Sequence, residues 1–306
     1  MRLWIAVISV VSATAADRLA VPLGLDAYVP APASNPLSRE SVELGRRLFF
    51  SKDLSRDRTL SCAGCHLPER AFTDGKPLAE GVRGQRATRR TPPILNRAWG
   101  KAFFWDGRAA TLEDQVVQPI ANPVEMDLPL NEAAERASSV AGRPLTQAQM
   151  AAALASYVRT ILAGDSPYDR FVAGDRAALD AREQLGLRLF RGKANCAVCH
   201  VGTNLTDESF HNTGAGWRDG RFADAGRGRG EFKTPSLREV ARSAPYMHDG
   251  SLVTLEDVIE YYDKGGRENP ALDVEMRELR LSAEEKSALV AFLKALSGRV
   301  VEGWPR

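Results

Sequence analysis

The pattern of apolar and polar positions along this 306-residue chain predicts a mainly α-helical protein. Apolar residues recur at helical spacing over residues 150–162 and again over 286–296. Each run follows a capping-box pair and stops near a glycine, and the two pairs are Thr146 with Gln149 and Ser282 with Glu285. Alternating strand patterns are almost absent, so little sheet is expected.

Long loops join these helices. Residues 74–93 and 214–230 are rich in glycine, proline and arginine, which favour turns over regular structure. The helical pattern is also interrupted over residues 164–175. The sequence therefore predicts two domains, residues 17–168 and residues 169–306.

The N-terminus has the three regions of a secretory signal. Arg2 precedes an apolar stretch over residues 3–11, and small residues at 13–15 precede Asp17. This stretch is too short to span a bilayer comfortably, although an uncleaved anchor is the alternative interpretation. We expect residues 1–16 to be a signal peptide and the mature protein to be periplasmic, without a membrane-spanning segment.

Charge excludes one class of partner. The chain has 41 Lys and Arg residues against 39 Asp and Glu residues, and no run of basic residues interleaved with aromatics. Nucleic-acid binding is therefore not expected.

The four cysteines form two Cys-x-x-Cys pairs, and a histidine follows each pair directly. The motifs are Cys62, Cys65 and His66, and Cys196, Cys199 and His200. Two disulfides, a zinc ribbon and a thioredoxin-like pair are the alternatives, but the knuckles of a zinc ribbon lie close together, and none of the three explains both histidines. Thiols three positions apart reach the two vinyl groups of one haem, and the adjacent imidazole becomes the axial iron ligand. The sequence thus predicts two covalently bound haems c.

The chain is also an internal duplication. A Leu-Gly-x-x-Leu-Phe segment precedes each haem motif, and downstream matches follow at one constant offset. The matched segments are residues 91–92 with 234–235, 105–107 with 248–250, and 111–114 with 254–257. The same offset aligns Tyr262 with Pro119. A phenolate can bind iron and a proline cannot, so we expect one capped and one open iron.

These features resemble the bacterial diheme cytochrome c peroxidases and their relatives of the methylamine-utilisation (MauG) type. The resemblance extends over residues 36–298, and its most specific stretches are residues 44–66, 91–96, 104–108, 118–126, 232–238 and 245–250. It implies two cytochrome c-like haem domains, with peroxide reacting at the N-terminal haem and electrons entering through the C-terminal haem.

The resemblance also implies individual roles. His66 and His200 match the proximal iron ligands, and Trp105 matches an electron relay between the haems. The distal residues of the open pocket match Glu125 as the acid–base carboxylate, Gln115 as a pocket amide that could equally face solvent, and Pro119 as the residue that shapes the pocket. His248 aligns with Trp105 in the repeat, so we expect it to be a hydrogen-bonding residue at a haem edge.

This sequence departs from the family pattern at three positions. Many members have a histidine after the first haem motif that caps the peroxide haem, but residues 75–90 contain none. Tyr262 stands where those members have a methionine ligand, as in the MauG type, with Tyr261, Met247 and Met276 as the alternative ligands. Arg90 stands where the family's calcium site has an asparagine, and a guanidinium offers calcium no acceptor. Calcium is therefore doubtful.

Three functions are compatible with the sequence. The first is a peroxidase that reduces hydrogen peroxide with electrons from a small c-type cytochrome or cupredoxin. The second is a MauG-type enzyme that uses peroxide to oxidise a tryptophan on a partner protein; the surface tryptophan of that type is replaced here by Ala194, so the route would need another exit such as Trp217. The third is a diheme electron carrier without catalysis.

Overall fold

The computed structural model describes residues 19–305, so the predicted signal peptide, residues 1–16, lies outside the described residues. Helices dominate this part of the chain. They are α1 (Arg39–Phe50), α2 (Cys62–Cys65), α3 (Leu112–Ala121), α4 (Leu130–Ala141), α5 (Gln147–Arg159), α6 (Pro167–Val172), α7 (Ala181–Arg191), α8 (Leu255–Asp263) and α9 (Ala283–Lys294). The strands have only two or three residues each. They are β1 (Leu162–Gly164), β2 (Phe210–His211), β3 (Trp217–Arg218), β4 (Arg221–Phe222), β5 (Phe232–Lys233) and β6 (Arg299–Val301).

Both predicted capping boxes are present. The Thr146 hydroxyl accepts from the Gln149 N–H and the Gln149 side chain accepts from the Thr146 N–H, and the same exchange starts α9. Both helices end two or three residues earlier than their apolar patterns predict. Helix α5 ends early because the last residue of its apolar pattern belongs to β1, which pairs antiparallel with β6.

The duplication predicted from the sequence is visible in the packing. One hydrophobic cluster lies between residues 42 and 163 and the other between residues 179 and 296. In the first half α1 packs on α5, and in the second half α7 packs on α9. Left-handed backbone recurs at matching positions, namely Asn96 and Glu239, Phe104 and Met247, and Gly107 and Gly250. The prediction of a mainly helical chain built from two related halves is confirmed.

Glycines allow the paired helices to approach closely. A Cβ on Gly45 would lie 1.9 Å from the Ala153 carbonyl oxygen, and one on Gly186 would lie 2.0 Å from the Ala288 carbonyl oxygen. Neither contact is sterically possible, so α1 with α5 and α7 with α9 meet backbone to backbone.

Arginine–carboxylate pairs join the two halves. The Arg97 guanidinium binds both oxygens of Glu208, at 2.6 and 3.0 Å, and both side chains are buried. Arg89 binds both oxygens of Asp224 at 2.7 and 2.8 Å. Bidentate pairs of this kind fix geometry as well as charge, so they set the relative position of the halves.

The C-terminal residues return to the first half. Strand β6 pairs with β1, and Trp304 packs against the first hydrophobic cluster. The hydroxyl of the fully buried Tyr157 donates to the Glu302 carboxylate. Among residues 19–305, no helix combines the length and apolar character needed to cross a bilayer.

Substituting Gly186 with alanine should lower the free energy of unfolding by about 1–3 kcal/mol, because the added methyl group overpacks the contact between α7 and α9. Thermal unfolding of the holoprotein measures the loss. Gly228→Ala is the control, since a Cβ there meets only the Glu231 side chain, at 3.6 Å. Equal stability of the two variants would contradict the close helix contact.

Candidate active site and haem-binding cavities

The first Cys-x-x-Cys-His motif lines a cavity of about 570 Å³. Cys62 and Cys65 are the first and last residues of the short helix α2, and the His66 N–H closes the turn onto the Cys62 carbonyl at 2.8 Å. This turn brings both thiols and the imidazole to the wall of one cavity. The arrangement suits the attachment of a single flat group by two side chains.

The orientation of His66 is fixed by its own backbone. Its Nδ1 lies 2.8 Å from the Phe72 carbonyl oxygen. A carbonyl can only accept, so Nδ1 carries the proton and Nε2 keeps its lone pair for a metal. Ala71 and Phe72 both adopt left-handed backbone, with φ of 53° and 56°, which turns this carbonyl toward the ring. Burial lowers the pKa of His66, so the imidazole is neutral at pH 7.

The second motif repeats this design in a cavity of about 220 Å³. Cys196, Cys199 and His200 line its wall, and His200 Nδ1 lies 3.0 Å from the Leu205 carbonyl oxygen. Leu205 is again left-handed, with φ of 52°. The two histidines thus share one orienting device.

The thiols fit haem attachment better than redox or disulfide chemistry. All four cysteines are free, and burial raises the pKa of Cys62 and Cys196 to about 12. A reactive Cys-x-x-Cys pair has a lowered thiol pKa instead. Two thiols beside a neutral, oriented imidazole on a largely apolar cavity wall suit a covalently bound haem, and both cavities meet this condition.

The predicted distal residues line the same cavity as the first haem motif. Gln115 and Pro119 of α3 and Glu125, which follows that helix, all line the cavity. Burial raises the pKa of Glu125, and the Asn122 side-chain amide donates to its Oε1 at 3.0 Å. The sequence analysis did not single out Asn122, although its position three residues before a glutamate in a turn could have indicated it.

Tyr262 lines the second cavity and Tyr261 does not. The Tyr261 hydroxyl donates to the Thr213 carbonyl at 2.8 Å, so it is directed to the backbone. Burial raises the pKa of Tyr262 far above that of a free tyrosine. Met247 and Met276, the alternative ligands, also line this cavity.

Trp105 lines both cavities, and hydrogen bonds hold it to residues of both halves. Its indole Nε1 donates to the Arg90 carbonyl at 3.1 Å, and its own carbonyl accepts from the Lys233 N–H at 2.8 Å. The indole therefore lies where the two cavities meet.

His248, the repeat partner of Trp105, is buried and lines the second cavity. Its carbonyl accepts from the Arg90 N–H at 2.9 Å, which mirrors the bond between Trp105 and Lys233. Phe232 stacks on the imidazole with ring centroids 3.8 Å apart. Burial lowers the pKa of His248 and favours the neutral ring.

His211 is a site residue that the sequence analysis did not assign. It lines the second cavity between two carboxylates, with Nδ1 2.6 Å from Asp273 and Nε2 2.9 Å from Asp207. Its side chain, Asp207 and Cys199 could together reach one metal ion. Cys199 belongs to the haem motif, however, and a thioether is not the thiolate that such a site needs.

The calcium site implied by the family does not fit this chain. The guanidinium of Arg90 fills the position of the expected asparagine, is buried, and bonds the Ser243 carbonyl at 2.5 Å. A cation cannot share that oxygen environment with the guanidinium without repulsion.

The cavities and motifs define a mainly helical protein with two sites suited to haem c, and the comparisons with known proteins identify its family. The family model described as "Di-haem cytochrome c peroxidase" matches residues 39–177, and the "Cytochrome c" model matches residues 184–297.

Characterised relatives and a solved structure agree with this assignment. The chain is 43% identical to "Methylamine utilization protein MauG" of Methylorubrum extorquens, over 88% of this chain and 81% of that protein. It is 33% identical to "Cytochrome c551 peroxidase" of Pseudomonas aeruginosa, over 86% and 80% of the two chains. A crystal structure of "a MauG-like protein associated with microbial copper homeostasis" superposes with a TM-score of 0.80 at 35% identity, over 89% of this chain and 94% of the other.

This chain therefore belongs to the di-haem cytochrome c peroxidase family, and it is an oxidoreductase with two covalently attached haems c. Membership in a family of enzymes removes the non-catalytic electron carrier from the three functions.

Replacing both Cys196 and Cys199 with alanine should reduce the covalent haem content from two to one per chain, because the thiols that line the second cavity would be absent. The mass of the intact denatured protein measures the change. The matching double substitution at Cys62 and Cys65 is the control and should also leave one haem. Two haems remaining in either variant would contradict the assignment of the motifs.

Proposed function

We propose that this protein is a periplasmic peroxidase that reduces hydrogen peroxide to two waters at the first cavity, with two electrons delivered through the second. The donor would be a small c-type cytochrome or cupredoxin. The observation that carries the proposal is that a half-buried glutamate, Glu125, and the oriented His66 line the same cavity. The N-terminal signal pattern supports the location, and the family supports the reaction class.

The division of labour follows the two halves. Residues 17–168 would form the peroxide-reacting domain and residues 169–306 the electron-transfer domain. The two separate hydrophobic clusters support this division. The C-terminal strand β6 is the exception, because it packs on the first domain.

When bound, each haem supplies an iron that exchanges electrons and, if a coordination position is open, binds peroxide. His66 Nε2 and His200 Nε2 would hold the two irons. Pro119 lines the first cavity and would leave the first iron open, because its pyrrolidine ring offers no ligand atom.

Glu125 would move the proton that heterolysis of peroxide requires. Its carboxylate takes a proton from the inner peroxide oxygen and returns it to the outer oxygen, which leaves as water. Burial, which raises the pKa of Glu125, suits this exchange, and the Asn122 amide holds one carboxylate oxygen in place. Gln115 lines the same cavity and would hold the peroxide or a water by hydrogen bonding.

Tyr262 would cap the iron held by His200, and Trp105 would conduct electrons between the two cavities. Tyr262 is supported by its place on the cavity wall and by the hydrogen bond that directs Tyr261 elsewhere. Trp105 is supported by its contact with both cavities. An anionic phenolate favours ferric iron over ferrous iron, so the second site would have a low reduction potential.

Two observations favour a MauG-like function as the second candidate, in which peroxide oxidises a tryptophan on a partner protein. Tyr262 replaces the methionine of many peroxidases, and residues 75–90 lack a capping histidine. Against it, Ala194 is buried on the wall of the second cavity, and Trp217 is not on that wall. Trp217 therefore does not take the place of the missing exit at this cavity.

Glu125→Gln should lower kcat/KM for peroxide about 10²–10⁴-fold, because the amide cannot accept the proton. Stopped-flow oxidation of a reduced c-type cytochrome by peroxide measures turnover, with two cytochromes consumed per peroxide. Because only the carboxylate form is a base, wild-type activity should fall as the pH drops through the raised pKa of Glu125, and the variant should lack this decline.

Glu135→Gln, an exposed change on α4, is the control and should behave as the wild type. If Glu125→Gln retained wild-type turnover, the acid–base role would be wrong. If the wild type consumed peroxide without oxidising any cytochrome, the MauG-like function would replace the peroxidase.

A further inference from the structure

Arg90 is a buried cation at the boundary of the two halves. Arg90 is only 4% exposed, and it lines both haem cavities. Its Nη2 donates to the Ser243 carbonyl in the second half at 2.5 Å and to the Thr73 hydroxyl in the first half at 3.3 Å. One guanidinium thus connects both halves.

The backbone of Arg90 is held by the residues that separate the cavities. Its N–H donates to the His248 carbonyl at 2.9 Å, and its carbonyl accepts from Trp105 Nε1 at 3.1 Å. The side chain therefore starts from a fixed point between the two haem sites and has little freedom to leave it.

No carboxylate among the described residues forms an ion pair with Arg90. The Asp74 carboxylate acts on the Arg90 charge only through space, because its two oxygens accept from the Thr91 hydroxyl and from the Lys76 N–H. The other buried arginines at the boundary differ in this respect, since Arg97 binds both oxygens of Glu208. Even Lys233, the repeat partner of Arg90, lies 3.5 Å from Glu208.

The guanidinium is also incompletely hydrogen-bonded. Its Nε is buried and has no partner within the described protein. Desolvating a charge without a counter-ion is unfavourable, so an anionic group is expected to complete the site. The haems that belong in the two adjacent cavities carry propionate carboxylates, which are anions of the required kind.

We propose that the Arg90 guanidinium is a fixed interdomain cation that takes the place of a metal ion and is compensated by the carboxylates of the bound haems. A metal ion at this boundary would link the halves through oxygen ligands and place positive charge between the haems. Arg90 does both through Ser243, Thr73 and its own charge. It is a positioning residue, because it acts on the haems rather than on peroxide.

Arg90→Gln should lower the reduction potentials of both haems, because a nearby positive charge stabilises the reduced form, which holds one more electron. We expect about a tenfold change in each reduction equilibrium, which corresponds to about 59 mV for a one-electron couple. Redox titration of the holoprotein, followed by its visible absorption, measures both potentials. Arg90→Lys keeps the charge and should stay closer to the wild type.

Arg188→Gln is the matched control, since it removes an exposed arginine on α7 and should leave both potentials unchanged. Wild-type potentials and thermal unfolding should be the same in EDTA and in calcium chloride. The proposal would be overturned if Arg90→Gln had the same reduction potentials as the control. It would also be overturned if EDTA lowered the reduction potentials or the thermal stability of the wild type and calcium restored them. If Arg90→Gln does not fold, the proposal is still tested by comparing the wild type in EDTA and in calcium chloride, and by the reduction potentials of Arg90→Lys.

Discussion

The function of both haem sites depends on one hydrogen bond, from the Nδ1 of each motif histidine to a backbone carbonyl. His66 bonds the Phe72 carbonyl and His200 bonds the Leu205 carbonyl. Both carbonyls belong to left-handed residues, so the surrounding loops are shaped to present them. Without this bond either ring nitrogen could carry the proton, and Nε2 would not be reserved for iron. The long irregular loops of the protein are therefore part of the metal chemistry.

The duplicated fold gives both halves the same frame, and the differences between the halves give them separate roles. The helix pairs, the left-handed positions and the reciprocal backbone bonds of Trp105 and His248 are shared. Pro119 in the first half aligns with Tyr262 in the second, and Arg90 aligns with Lys233. An exact repeat would give both halves the same chemistry. The peroxide-reacting and electron-transfer roles that we propose therefore depend on a few side chains that break the symmetry.

Much of this organisation could be predicted because it is local or repeated in the sequence. Capping pairs such as Thr146 with Gln149 specify helix starts within one turn, and Cys-x-x-Cys-His specifies a haem by short-range geometry. Sequence reasoning missed one site residue with a local contact and one with a distant contact. Asn122 bonds Glu125 only three residues away, so its spacing could have indicated it. His211 instead depends on Asp273, which is 62 residues away and could not be placed beside it from the sequence. The early end of α5 was missed for the same reason, because its strand partner lies at the C-terminus.

The central claim is that one iron is open and the other is capped by Tyr262. The most direct test is the electron paramagnetic resonance spectrum of the oxidised holoprotein, compared with that of Tyr262→Phe. The account predicts one high-spin and one low-spin ferric haem in the wild type, with only the low-spin component changed in the variant. Two low-spin haems in the wild type, or an unchanged spectrum in Tyr262→Phe, would contradict it.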